Sequence, residues 1–424
     1  MRTWRVFVAA VFVCMAQASL VAADEVAQLK EQLTEQSKLL GQMQEKLEQM
    51  EADQAKQKSL AAAQVAPVSE GTDELVLPEG LKWIENITWG GDLRYRHESI
   101  DDDTKSTDRD RHRIRARLKM KAKVNDEWDA IFRLASGSSD SPTSTNQTLG
   151  DSASDSFSSK EIWLDWAYAD YHPACIEGLN VLLGKMGNPF YRVGKNQMIF
   201  DGDLSPEGAA ATYEWDLSES TSVELAGGSY WVRERSTDAD TSIFGAQGLV
   251  KHTFSDSHVL GGVSYYDFGN IEGQSLSGVS AKGNTLSNGV FANDYDILEA
   301  FGEYGFAVAD MPVAVYGSYV NNTAASTSQD TGWLVGAKLN KAKKPGSWEA
   351  SYNYRDVEAD AVVGGINDSD FIGGGTDGRG HVFGFKYQVS KNVQAGVHYF
   401  LNEKNASSTE DDFRLLQVDL VLKF

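Results

Sequence analysis

From Arg111 to Val124 the chain alternates strictly. Arg111, Arg113, Arg115, Arg117, Lys119, Lys121 and Lys123 occupy one parity, and Ile114, Ala116, Leu118, Met120, Ala122 and Val124 the other. A period of two marks an extended strand, because successive side chains point to opposite faces; a helix would scatter the same cations around its axis. The segment is committed to a β-sheet with one strongly basic face. Such a face needs water or acidic partners, since a cation at the middle of a bilayer costs roughly 2 to 4 kcal/mol. Taken alone, the strand also suits the solvated face of a soluble β-sandwich. Arg94, Arg96 and Arg133 extend the basic face to both neighbouring strands, opposite Leu93, Tyr95, Phe132 and Leu134. Strand pairing would join them into one basic wall.

The remainder from Trp83 onward repeats short alternating runs rich in Tyr, Trp, Phe and Gly, separated by Asp, Asn, Ser and Gly clusters. The spacing predicts sixteen strands, at 84–98, 110–124, 126–137, 158–172, 178–187, 207–217, 220–232, 241–254, 257–270, 293–306, 311–323, 330–341, 346–357, 378–390, 393–403 and 412–424. Short connections alternate with long ones, the long ones falling at 99–109, 138–157, 188–206, 271–292 and 358–377. An even-stranded closed barrel produces this asymmetry, with tight turns and both termini at one end and long loops at the other. The expected fold is therefore all-β, a closed antiparallel transmembrane β-barrel over residues 83–424. In the fourth strand Ile162, Leu164, Trp166 and Tyr168 are expected to face out and Asp165 in. Tyr168, Tyr171, Tyr230, Trp231, Tyr399 and Phe400 fall near strand ends, where interfacial aromatic girdles belong.

The N-terminal part differs. Residues 1–23 carry Arg2 and Arg5, an uncharged run from Val6 to Met15 and Val21-Ala22-Ala23 before Asp24, the layout of a cleaved secretory signal. Val26, Leu29, Leu33, Gln36, Leu40, Met43, Leu47 and Met50 then follow a 3-4 spacing. This predicts an α-helical coiled coil over 24–60, or an amphipathic helix lying on another surface. Residues 61–82, with Pro67 and Pro78, read as a linker. An exported chain with this order would hold the coiled coil in the periplasm.

A net charge of -22 argues against nucleic acid as a partner. Cys175 is the only cysteine beyond the signal, so no internal disulfide is expected in the mature chain. His97, His112, His172 and His398 lack a nucleophile motif or metal-ligand spacing, so neither an enzyme nor a metal or other cofactor is expected. Asp101–Asp103 and Gly373–Gly375 read as solvated loops.

The chain closes on Val418, Leu420, Leu422 and Phe424 on one face, with Asp419 and Lys423 on the other. A last strand ending in Phe resembles the signal by which barrel-assembly machinery recognises outer-membrane proteins. The stretches WGGDLRYRHE (89–98), DRHRIRARLKMKAKVNDEW (110–128), FRLASG with STNQTLGD (132–151), GKMGNPFY (184–191) and DGDLSPEG (201–208) resemble the putative-porin family of Gram-negative outer membranes. Similarity to phosphate-selective porins is looser and rests on the heptads and the basic wall. The resemblance implies a passive channel for small hydrophilic solutes or ions, embedded in outer-membrane lipid and assembled as a homotrimer. The basic wall would line the pore. The loop from Gly187 to Pro206, with Arg192, Lys195, Asp201 and Asp203, and Glu207 just after, is the candidate constriction loop. Folded inward, its acidic tip would face the wall across a transverse field; otherwise it would pack on a neighbouring subunit. An anion preference follows from the wall alone, while a tether acting through the coiled coil is the alternative function.

Overall fold

The computed structural model of the chain describes residues 79–424 except 139–140, 151–155 and 277. The expected signal peptide, coiled coil and all but the end of the linker lie outside the described residues.

A 3-10 turn at Glu79–Asn86 leads into β1 (Ile87–Asp102). Then follow β2 (Arg109–Lys123), β3 (Trp128–Ser136), β4 (Ile162–Tyr171), β5 (Leu179–Lys185), β6 (Glu207–Ser218), β7 (Thr221–Arg233) and β8 (Thr241–Thr253). The second half comprises β9 (Ser257–Asp267), β10 (Asp296–Val308), β11 (Met311–Asn322), β12 (Thr331–Leu339), β13 (Trp348–Val357), β14 (Gly378–Ser390), β15 (Val393–Lys404) and β16 (Asp411–Lys423). Each pairs antiparallel with its chain neighbours, and β1 also pairs with β16, from Asp92↔Lys423 to Asp102↔Phe413. The sheet is therefore closed, as the alternation of short and long connections predicts. Phe424 extends the closing ladder beyond β16, exchanging backbone hydrogen bonds with Gly91 in both directions (2.9 and 3.2 Å). Its ring lies where a Cβ on Gly91 would stand only 2.7 Å away, so the position needs a glycine. At the short-turn end, Ala309 and Asp310 both take positive φ, the conformation a two-residue hairpin turn demands.

The polarity of the barrel is inverted relative to a soluble protein. On β16, Val418, Leu420 and Leu422 are exposed while Gln417 and Asp419 are buried. Leu118, Phe132, Leu134, Leu225, Val263, Val335 and Phe385 continue the exposed apolar surface around the wall. A lipid-facing exterior and a polar lumen account for this pattern.

The sequence expectation for β4 is corrected. Arg133 pairs with Trp166 and Leu134 with Leu164, leaving Asp165 as an extra residue in a bulge. A one-residue insertion shifts every later side chain to the opposite face. Ile162 and Leu164 do face out, but Trp166 donates to Ser205 Oγ (3.0 Å) and Tyr168 packs on the internal apolar cluster. The girdle is also thinner than expected. Trp231 and Tyr399 are exposed, whereas their chain neighbours Tyr230 and Phe400 are buried, as alternation requires.

Arginine introduced at Leu118, an exposed residue within β2 that lies opposite Gly91 and Leu134, should cost roughly 2 to 4 kcal/mol of folding free energy in phospholipid vesicles, read by denaturant titration. A loss under about 1 kcal/mol would mean that this face does not contact hydrocarbon.

Candidate functional site

The basic wall forms in register. Arg94 lies opposite Arg115, Arg96 opposite Arg113, and Arg133 opposite Lys119. Like charges directly across a ladder repel, and carboxylates set among them offset the repulsion. Arg96 grips Asp419 with two hydrogen bonds (2.7 and 2.8 Å) and also reaches Glu98 and Asp370. Glu98, fully buried, pairs with Arg111 and stands 3.6 Å from Arg113. Asp92 holds both Arg115 and Arg117 at 2.7 Å. Towards the short-turn end, Lys121 pairs with Asp129 (2.7 Å) and Lys123 with Asp126 (2.8 Å). Lys119 lies 5.4 Å from the Trp166 ring, and Arg133, paired with Asp165, stacks on the same ring at 3.4 Å. Asp92 and Glu98 share the parity of Arg94 and Arg96, so the sequence carried that signal. Asp419 faces them from the opposite end of the chain.

The 186–206 loop folds inward but does not set its acids across a gap from the wall. Asp203 contacts the wall itself, 3.4 Å from Arg117 and 3.9 Å from Arg115, and accepts from Thr145 N and Oγ1 (3.2 and 2.9 Å). Burial pushes its carboxyl up, but Arg115, Arg117 and Arg94 outweigh that and hold it below the usual range. Glu207 remains exposed and pairs with Lys185 (2.6 Å). Arg192 donates to the Phe200 carbonyl (3.0 Å). Gly194 takes positive φ against the Tyr316 ring, where a Cβ would stand 2.2 Å from a ring carbon, and its carbonyl accepts from Lys338. Lys195 follows at the loop tip.

A second inward loop, 358–377, was not expected. Ala361, Val362, Val363 and Ile366 are almost fully buried, joined to Phe190, Phe200 and Tyr266 in one apolar cluster inside the barrel. Asn284 pins this loop to 268–295, donating to the carbonyls of Ala359 and Val362 (both 2.7 Å) and accepting from Gly364 N (2.8 Å). The part around Gly375 and Thr376 is packed against Lys282, not solvated. The two inward loops meet at Asp201, which accepts from Asp203 N (2.7 Å) and Ser369 N (2.9 Å), while its own amide donates to the Ile366 carbonyl (2.9 Å). A third segment joins them through Thr143, whose carbonyl accepts from Ser369 Oγ (3.1 Å).

Between these loops and the strands lies a cavity of about 420 Å³. Its lining runs from Arg94, Arg96, Arg115 and Arg117 on β1 and β2 to Lys338, Arg355 and Lys386 on the far side, with Lys195, Asp201, Asp203, Asp368 and Asp370 from the loops. Arg355 pairs with Asp368 at 2.7 Å. A second cavity, lined by Lys195, Lys338, Glu303 and the turns near 253–258 and 306–314, continues towards the short-turn end. Among the described residues no cluster of His, Cys, Asp and Glu could hold a metal ion.

Residues 101–298 and 297–424 match the family described as putative porin. The chain belongs to the putative-porin family. No curated protein matches it. Among solved structures, this porin is similar to OprB of Pseudomonas putida, 11% identical over 81% of this chain and 96% of that one, with a TM-score of 0.53. It is also similar to OmpF of Salmonella typhi in complex with daunomycin, 13% identical over 80% and 97%, with a TM-score of 0.50. At these identities the likeness concerns the fold: the closed sixteen-stranded barrel of outer-membrane porins.

Asp201 is a buried titratable group at the loop junction. Burial, then repulsion from Asp368 and Asp203, pushes its carboxyl up to about 8, with Arg192 and Lys282 the cations that face it. An acid raised in the folded state stabilises fully below its unfolded value and loses that contribution as pH rises through the folded one. Protease cleavage within 358–377 should therefore increase between about pH 6 and about pH 9 in the native protein and stay flat in Asp201→Asn. Equal pH profiles for the two proteins would remove Asp201 from this role.

Proposed function

We propose that this outer-membrane porin is a water-filled channel for passive diffusion of small hydrophilic solutes and ions, and that it prefers anions. In this reading Arg94, Arg96, Arg111, Arg113, Arg115, Arg117, Lys119, Lys121, Lys123 and Arg133 line the pore, and the 186–206 loop narrows it. The observation that carries the preference is the charge of the central cavity, whose lining holds eight basic side chains against four acidic ones. The chain as a whole carries a net charge of -22. A narrow passage walled by low-dielectric material responds to its own lining, because such walls focus the local field. Cations on both sides also favour a basic sleeve over a field running from an acidic loop to a basic wall.

Reversal potentials of the full chain in planar bilayers under a salt gradient test this. Anion selectivity is expected, reduced in Arg96→Gln and Arg117→Gln; cation selectivity would refute it. The burial of Ala361, Val362, Val363 and Ile366 within the lumen supports a second prediction. Excising residues 361–366 should raise single-channel conductance and admit larger sugars in a liposome-swelling assay. The homotrimer is part of the same proposal and would give a three-step cross-linking ladder in detergent. Removing residues 24–80 should leave conduction intact if the channel, and not a tether, is the function.

A further inference from the structure

The cavity charges are not equivalent. Asp92 and Asp203 hold Arg115 and Arg117, Asp419 and Asp370 hold Arg96, Asp368 holds Arg355, and Lys386 pairs with Glu349 (3.2 Å). Arg94 has no carboxylate within ion-pair distance among the described residues. Its Nη2 donates to the neutral Asn146 amide oxygen (2.5 Å), and its buried Nε has no hydrogen-bond partner. Its neighbours on the wall are Arg115 directly across the ladder, Arg96 two residues along and Asp92 two residues back, whose carboxylate is taken up by Arg115 and Arg117. A guanidinium sheltered from water without an anion is unfavourable, and an anion reaching it relieves both its own desolvation and the repulsion from its neighbours.

Resting on the channel reading above, we infer that Arg94 is the oxyanion-binding subsite of the constriction, engaging the carboxylate or phosphate group of a permeating solute. The planar fork of a guanidinium matches two oxygens of either group, which chloride cannot offer. The Asn146 amide holds the fork from the loop side. The other cavity cations without a carboxylate partner among the described residues are Lys195 and Lys338, and both also line the cavity towards the short-turn end. An anion released from Arg94 meets them next, so the subsite is a step on a path and not a trap.

The test uses the full chain in planar bilayers bathed in potassium chloride, with inorganic phosphate or malonate added. Either should lower the open-channel current in a saturable manner. Arg94→Gln should raise the half-blocking concentration about tenfold or more, the worth of a charge-assisted hydrogen bond. Arg94→Lys, which keeps the charge and loses the fork, should fall between the two. Arg379→Gln, on the exposed rim where Arg379 pairs with Glu403 and Glu410, should behave like the native protein. Block by phosphate alone or by malonate alone would assign the subsite to that one group. Chloride conduction with no block by either, or block unchanged in both Arg94 variants, would overturn the subsite and leave the channel standing; absence of chloride conduction would refute the channel itself.

Discussion

Everything in this molecule depends on the ladder that joins β1 to β16. A strand edge in hydrocarbon leaves backbone N–H and C=O groups with neither water nor protein to bond, at several kcal/mol for each group, so a sheet crosses a membrane only when it closes. Here the first and last strands of the described chain pair along the whole stretch from Asp92 to Asp102, and Phe424 carries the pairing to Gly91. Closure divides the side chains into two populations. One faces lipid and is apolar; the other faces a lumen that can hold water, charge and loops.

The charge on the inner face brings its own requirement. Cross-strand pairs such as Arg94 with Arg115 and Arg96 with Arg113 repel. The carboxylates that balance them come from the same strand (Asp92 and Glu98), from the last strand (Asp419) and from two loops (Asp203 and Asp370). The ion pairs that neutralise the wall therefore also anchor the loops. Asp203 ties the 186–206 loop to β2, and Asp370 ties the 358–377 loop to β1. On the other side of the lumen an apolar cluster built around Phe190, Tyr266, Val362 and Val363 fills space that a simple barrel would leave open. The same loops thus bring charge to the wall and fill part of the lumen.

The strands were legible because the period-two signal is local. Each run of alternating residues reports its own two faces without knowing its neighbours, and the strand positions fall within a few residues of those observed. The failures occurred where that locality breaks. The bulge at Asp165 carries no distinct residue signature, yet it turns Trp166 and Tyr168 inward. The 358–377 loop, with three consecutive glycines and several aspartates, resembles a solvated loop in composition. Its buried segment is instead held by Asn284, some seventy to eighty residues earlier in the chain.

The sequence by itself determined the sheet, its inside and outside, the alternation of turns and loops, and the concentration of cations on the first three strands. Each of these follows from the spacing of residues along one segment. Only the tertiary structure decided which of those cations are neutralised, that Asp203 lies on the basic wall and not across from it, and that two loops narrow the lumen together. Electrostatics acts through distances in space, and the groups that meet in and beside the central cavity, Arg96, Asp203, Lys338, Asp370 and Asp419, lie far apart along the chain. Their charges were visible in the sequence, but their neighbours were not.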